Sequence, residues 1–391
     1  MKITGVEILT CLAGWRSWYF LKVSTDSGFV GFSDCTESFG SQKGINAAIE
    51  ELSQHILGMD PLATDLIHWE LYRRTRQSCG GIIQKALGGI ENALLDIKGK
   101  ALGVPVYKLL GGPFRDKVKV YWSHCGTTRI RSSKFINDKK IESLDDIVAL
   151  GKEVKSQGFQ ALKTNILLPG SPFSVLMQGF KGEFGSSSQD ISPQILRGIE
   201  SSIAAFRQGA GDDVDIMLDL NFNFRKAGYE RVAKVLEPYN LAWLELDTMD
   251  PNSLVSMRRN MNLPIASCEN LFGLRQYKPF FENHAAEIVI IDLLWNGVAQ
   301  SKKIADMAES YDINVAPHNH YSPLATVMAG HFAYSVPNIK IVELDVDEID
   351  WADDLVTDPA IISNGLLTIN DKPGWGTDLN CDLLKPVLNV Q

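Results

Sequence analysis

Six residues suited to acid–base or metal chemistry recur in the second half of the chain, each at or near the end of a short apolar run. They are Asp219 in DIMLDL, Glu245 in LAWLEL, Glu269 in PIASCEN, Asp292 in AEIVIIDLL, His318 in INVAPHNH and Glu343 in IKIVELD. The first three are consecutive carboxylates. Gathered in one place, they repel one another unless a cation joins them. All-oxygen donors select a hard ion, and Mg2+ is the natural one, one per subunit. Each of the three taken singly reads as readily as an exposed strand-end carboxylate; the even spacing favours a shared site.

Gathering them requires a fold that brings distant residues to one mouth. Successive members lie roughly 25 residues apart, the length of a strand, a helix and two loops. The runs show no apolar–polar alternation, as in a parallel sheet covered on both faces. Repeated units of this kind close into a (β/α) barrel, an α/β architecture whose strand ends line one mouth. Two earlier strands extend the series. Residues 118–123 form the first, and His124 just past it could face the mouth or serve structure. Residues 159–165 form the second, in which Lys163 and Asn165 share one face. A lysine aimed into such a mouth is costly unless it meets an anion, so Lys163 reads as functional.

A barrel of about 250 residues leaves sequence for a second domain. Residues 2–34 read as three strands. The first two are joined by Ala13, Gly14, Trp15, Arg16 and Ser17, either a plain hairpin connection or a lid over an anion. Residues 44–103 turn helical, with a third helix over 84–102 interrupted at Gly88 and Gly89. This is an α+β capping domain over 1–115, closed by the junction Gly111-Gly112-Pro113. The barrel domain follows over 116–369, and the tail 370–391 returns to the first domain. An insertion over 167–192, rich in Gly and Ser, would lie over the mouth as a selectivity element or as a tolerated loop.

Hydrophobic content of 45% and charged content of 22% fit a soluble globular protein. The net charge of −9, with no basic stripe, argues against nucleic acid. The six cysteines are scattered without metal-ligand or redox spacing, and read as free thiols in a reducing, cytoplasmic setting. The apolar run at the N-terminus is short and broken by Glu7, unlike a signal peptide. No run reaches membrane-spanning length.

Taken in order, Lys163, Asp219, Glu245, Glu269, Asp292, His318 and Glu343 resemble the enolase superfamily in its mandelate racemase subgroup, and the resemblance runs through essentially the whole chain. It implies a modified, (β/α)7β barrel beneath an N-terminal α+β capping domain. It implies Mg2+ on Asp219, Glu245 and Glu269, a His318–Asp292 dyad as base and orienter, and Glu343 closing the eighth strand. Asn221 also matches the subgroup. Two departures matter. The second strand of the racemases ends Lys-x-Lys, whereas here the second lysine is replaced by Asn165, which disfavours two-base racemisation. Glu245 is followed by Leu246-Asp247-Thr248 instead of the usual acidic-Pro sequence.

The resemblance implies abstraction of a proton alpha to a carboxylate. Lys163 would add positive charge near the carboxylate oxygens, and Glu343, if protonated, would donate a hydrogen bond. His318 would take the proton and then, as imidazolium, assist departure of the β-hydroxyl. The expected product is a 2-keto-3-deoxy acid, so the reading is an Mg2+-dependent dehydratase of aldonic or aldaric acids. Substrate contacts are expected from Asn165, Asn221, His320, Arg16 and Trp15, with Asn223 and Tyr321 as weaker candidates. The partners are then a small carboxylate substrate and further copies of the chain, with neither nucleic acid nor membrane. Two alternatives stand beside this one. The first is a cycloisomerase of a sugar-acid lactone or anhydro-sugar acid. The second is a barrel that binds sugar acids without catalysis.

Overall fold

The computed structural model describes residues 1–137, 139–177 and 191–390. Three strands open the chain as an antiparallel meander: β1 (Ile3–Ala13), β2 (Arg16–Thr25) and β3 (Val30–Asp34). Alternation along β1 and β2 buries Val6, Ile8, Leu21 and Val23 on one side. Three helices cover that side: α1 (Gln42–Ser53), α2 (Thr64–Thr75) and α3 (Gly81–Leu102). Ile45, Ile49 and Leu52 of α1 and Ile90 and Leu94 of α3 complete this core.

The expected interruption at Gly88-Gly89 is absent, and α3 runs through both glycines. Gly88 marks a contact instead. A Cβ there would lie 2.5 Å from the carbonyl oxygen of Leu294 in the barrel, so only glycine lets the two backbones approach. The neighbouring side chains of α3 fasten the same joint. Asn92 donates to the Leu293 carbonyl and accepts from the Val298 N–H, while Glu91 accepts from the N–H groups of Ala299 and Gln300.

Among the described residues, eight parallel strands form the barrel: β4 (Val118–Ser123), β5 (Ala161–Thr164), β6 (Asp215–Asp219), β7 (Trp243–Glu245), β8 (Ile265–Ser267), β9 (Ile288–Asp292), β10 (Asn314–His318) and β11 (Val342–Asp345). They pair in sequence order from β4 to β10, and β11 pairs with β4. The ring closes where Val315 of β10 bridges Ile339, just ahead of β11. Helices fill each crossover: α4 (Leu144–Ser156), α5 (Pro193–Ala210), α6 (Lys226–Leu236), α7 (Pro251–Asn260), α8 (Gly273–Glu282), the pair α9 (Leu293–Asn296) and α10 (Val298–Glu309), and α11 (Pro323–Ser335). Among the described residues no α-helix follows β11. The hairpin of β12 (Ile361–Ser363) and β13 (Leu366–Thr368) follows, and β13 pairs antiparallel with β4. This is a (β/α)7β barrel beside an N-terminal α+β domain. The last strand, β14 (Lys385–Val390), pairs antiparallel with β1.

The barrel interior is plugged by its own apolar layer, including Tyr121, Ala161, Met217, Trp243, Ala266, Ile290, Ala316 and Ile341. Strand side chains alternate, so the residue two positions on points the same way, nearer the C-terminal mouth. That rule places Ser123, Lys163, Asp219, Glu245, Asp292, His318 and Glu343 directly above the plug. Among the described residues no helix is long and apolar enough to cross a membrane.

Candidate active site

One strand breaks the two-residue rule. Above Ala266 it would place Cys268, a neutral thiol, at the mouth. Instead β8 ends at Ser267 and Cys268 takes a left-handed backbone with φ of 86°. The chain turns there and Glu269 lines the cavity. A non-glycine residue at positive φ costs on the order of 1 kcal/mol and persists where surrounding structure holds it. His124 (φ 47°) and Asn221 (φ 51°), also at the mouth, share this conformation.

Lys163 is a buried cation at the floor of the site. Its Nζ lies 3.1 Å from Oε2 of Glu245 and 3.1 Å from Oε1 of Glu343. Burial would lower its pKa, but Glu245 and Glu343 raise it well above the usual lysine value, so it stays charged. The expectation that Glu343 could act as a protonated donor is corrected. The Ser123 hydroxyl donates to its Oε1 and the Asn319 N–H to its Oε2. Burial would raise its pKa, yet Lys163, His318, His124 and the Ser123 bond hold it below the usual carboxylate range. Glu343 is therefore an ionised acceptor that anchors Lys163.

Asp219 and Glu245 are opposite one another in the β6–β7 register, and Glu269 follows the turn after the next strand. Burial, then Glu245, pushes the Asp219 carboxyl up to about 7, with Glu269 adding to the shift. Asp247, two residues past Glu245, joins the crowd: burial and then Glu269 and Asp219 raise it well above its ordinary value. Lys163 thus faces five carboxylates, these four and Glu343. The oxygens of Asp219, Glu245 and Glu269 do not converge within 4.8 Å of one another; both oxygens of Glu245 are engaged by Lys163. The donor chemistry nonetheless suits a hard divalent ion, because these are oxygen ligands with uncompensated negative charge.

His318, at the end of β10, lies opposite Asp292 at the end of β9. Its Nδ1 is 2.6 Å from Oδ2 of Asp292, and its Nε2 is 3.7 Å from Glu269 and 3.9 Å from Glu343. The other oxygen of Asp292 accepts from the N–H groups of Leu294 and Trp295. Burial lowers the His318 pKa, but Glu269, the Asp292 hydrogen bond and Glu343 raise it to about 10.

A cavity of 520 Å3 opens over these groups. Trp15, Arg16, Asn165, Asn221 and His320 all line it, together with Asp219, Glu269 and His318. The 13–17 segment is a tight hairpin in which Ala13 pairs with Arg16, so only Gly14 and Trp15 make the turn. Arg16 still reaches the cavity, but its charge is committed: Nη1 is 3.2 Å from Asp345 and Nη2 pairs with Glu348. Asn165 and Asn221 are bonded to each other, and Asn165 also accepts from the Thr127 hydroxyl. Asn223 is excluded from the cavity. It is fully buried and donates to the Leu176 and Leu220 carbonyls. The Tyr321 hydroxyl donates to Asp292 at 2.6 Å, so it braces the dyad. Within the 167–192 insertion, Leu167–Leu168 pairs with Ser174–Val175 and Met177 lines the cavity. Residues 178–190 lie outside the described residues.

Sequence reasoning passed over Lys85, Asp345 and Glu348. Lys85 comes from α3, pairs with Glu37 and lies 3.7 Å over the Trp295 ring. Nothing in its helical sequence context signals that position. Asp345 could have been found, since it follows Glu343 by two residues on the same face. It binds His124 at 2.8 Å and His320 at 2.7 Å. Among the described residues, these are the three possible metal donors whose ligand atoms lie within 4.8 Å of one another. The Arg16 guanidinium already supplies positive charge there, 3.2 Å from both His320 and Asp345.

Comparison with known proteins agrees with this architecture. Residues 12–111 match the family model described as mandelate racemase / muconate lactonizing enzyme, N-terminal domain. Residues 146–383 match the one described as enolase C-terminal domain-like. D-xylonate dehydratase of Haloferax volcanii is 30% identical, over 98% of this chain and 88% of its own length. D-galactonate dehydratase of Pectobacterium atrosepticum is 29% identical, over 94% of this chain and 90% of its own. A crystal structure from Burkholderia xenovorans strain LB400 has a TM-score of 0.95 at 43% identity, over 98% of this chain and 95% of that one. It is provisionally named an L-alanine-DL-glutamate epimerase and is bound to magnesium and fumarate.

Proposed function

The chain belongs to the enolase superfamily, in the mandelate racemase and muconate lactonizing enzyme family, and from that premise we propose that it is an Mg2+-dependent sugar-acid dehydratase. The observation that carries this reading is the His318–Asp292 pair at 2.6 Å beside a cavity wall that also carries Asp219 and Glu269. An imidazole oriented in this way, with its second nitrogen toward the cavity, would be free to take a proton once a bound cation offset the Glu269 charge that raises its pKa. The names of the D-xylonate and D-galactonate dehydratase relatives support the substrate class.

Asp219, Glu245 and Glu269 would hold the metal. Bound there, Mg2+ would supply Lewis-acid charge for the substrate carboxylate and offset the crowding of the three side chains. Lys163 adds a fixed positive charge beneath that end of the cavity, and Glu343 holds it in place. A preorganised charge of this kind is worth about 3 kcal/mol in a buried site. His318 removes the proton alpha to the carboxylate, with Asp292 fixing its tautomer and stabilising the imidazolium. The imidazolium so formed is one source of the proton needed by the departing β-hydroxyl. Asn165 and Asn221, which line the cavity, would contact hydroxyls of the carbon chain. The amide of Asn165 cannot act as a second base, which supports elimination over racemisation.

The test is a library of aldonic and aldaric acids, scored for 2-keto-3-deoxy acid with and without Mg2+. Dehydration of at least one acid, dependent on Mg2+ and lost in His318→Asn, is the expected result. Substantial turnover by that variant would overturn the assignment of the base, and activity confined to lactones would favour the cycloisomerase.

A further inference from the structure

Beyond the His318–Asp292 pair, the mouth holds a second imidazole–carboxylate arrangement. Asp345 sits at the end of β11. Its Oδ1 meets Nδ1 of His124 at 2.8 Å, and its Oδ2 meets Nδ1 of His320 at 2.7 Å. Both imidazoles line the cavity and Asp345 does not. With each Nδ1 on the carboxylate, Nε2 is the nitrogen left for a substrate. His124 holds this position with a left-handed backbone, a conformation that histidine adopts only at a cost. The His318 and His320 rings lie 6.5 Å apart, so one carbon chain can meet both imidazole sites.

The two rings of the second site are 4.3 Å apart, too close for both to be imidazolium cheaply. Arg16 distinguishes them. Its Nη1 is 3.2 Å from His320 and 3.2 Å from Asp345, and its Nη2 is paired with Glu348. Burial lowers the His320 pKa to about 4 despite Asp345, with His124 and Arg16 adding to the lowering. His124 occupies the other oxygen of Asp345, beside the Ser123 hydroxyl at 3.2 Å, and that hydroxyl in turn donates to Glu343. Two carboxylates, Asp345 and Glu343, thus lie around His124, while the guanidinium sits against His320 and donates to its carbonyl oxygen.

We propose that His124, oriented by Asp345, is the general acid that protonates the departing β-hydroxyl, and that His320 accepts a hydrogen bond from a substrate hydroxyl. This rests on the dehydratase reading and divides between two imidazoles the work otherwise left to His318. The α C–H bond breaks and its proton goes to His318. The electron pair, held first on the substrate carboxylate as an enolate, then forms the C2–C3 double bond as the C3–O bond breaks. The Nε2 proton of His124 goes to the leaving oxygen, which departs as water. Tautomerisation of the enol gives C3 a proton and takes one from the enol oxygen, returning both imidazoles to their starting states.

The test uses the full chain with Mg2+ and a sugar acid that the wild type dehydrates. Three readouts are compared: exchange of the α-hydrogen in D2O, formation of 2-keto acid, and fluoride release from an analogue with fluorine in place of the β-hydroxyl. Fluoride needs no proton to leave. Asparagine tolerates the left-handed backbone, so His124→Asn is the variant of choice. It should lose roughly 10²–10⁴-fold in 2-keto acid formation, while α-hydrogen exchange and fluoride release stay within about tenfold of wild type. His318→Asn should lose all three. The proposal is overturned if His124→Asn dehydrates the acid like wild type, or if it loses exchange and fluoride release along with dehydration. Neither result touches the dehydratase reading, which fails only if the wild type dehydrates no acid in the library, and the proposal then fails with it.

Discussion

The Nδ1 of His318 lies 2.6 Å from Oδ2 of Asp292, and that same oxygen accepts the Tyr321 hydroxyl at 2.6 Å. Asp292 therefore fixes the imidazole while being fixed itself. Asp292→Asn keeps an oxygen for the Leu294 and Trp295 N–H groups but can present an N–H to His318, favouring the wrong tautomer. A fall in kcat of about 10³–10⁴ is expected, with KM little changed. Tyr321→Phe should cost far less, since it removes one brace. Steady-state kinetics on both variants check this ordering.

Lys163 is expected to matter for stability as well as turnover. Lys163→Met leaves Glu245 and Glu343 buried without their shared cation. Breaking a buried pair on one side costs about 3–5 kcal/mol. Adding Glu343→Gln to Lys163→Met should recover part of that loss, because one unpaired charge is removed. Denaturant unfolding of the four proteins of this cycle, without added metal, measures the coupling.

Magnesium binding should release protons. Without a cation the Asp219 carboxyl is pushed up to about 7 and His318 to about 10, in each case with Glu269 contributing. A cation favours the deprotonated carboxylates, so affinity should rise between pH 6 and 8. Calorimetry in two buffers of different ionisation enthalpy reads the proton release directly. Glu269→Gln should weaken binding and reduce the release; an unchanged affinity would remove Glu269 from the ligand set.

The interdomain joint has its own pH signature. Burial raises the Glu91 carboxyl to about 7, against the lowering effect of its bonds to Gln300. Its folded-state pKa thus exceeds the unfolded value near 4.5. The folded state binds the extra proton in that window, so this contribution to stability is present at low pH and is lost as pH rises from about 4.5 to 7. The effect is on the order of 2 kcal/mol. Compared with Glu91→Gln, the wild type should lose more stability from pH 5 to pH 7, as followed by thermal unfolding at each pH.

Much of the barrel was legible because one physical rule repeats. A parallel strand buried on both faces is apolar throughout, so a charged residue near its end stands out: Asp219, Glu245, Asp292 and His318 were visible in this way. Glu269 was visible by type, but its route to the mouth was not, because it depends on the left-handed turn at Cys268. The unbroken α3 was misread because Gly88 looks like a helix breaker in sequence. Its reason for being glycine is a backbone on the other domain.

The amino-acid sequence by itself determined the periodic strands, the order of the charged residues along them and hence the side of the barrel on which they gather. Those features follow from local alternation and chain connectivity, which are encoded within each repeat. Only the tertiary structure decided which charges meet. Lys163 between Glu245 and Glu343, Arg16 against Asp345 and Glu348, and His124 beside His320 join residues from separate strands or domains. Their ionisation states depend on burial and on Coulomb interactions over a few ångströms, distances that sequence separation does not encode.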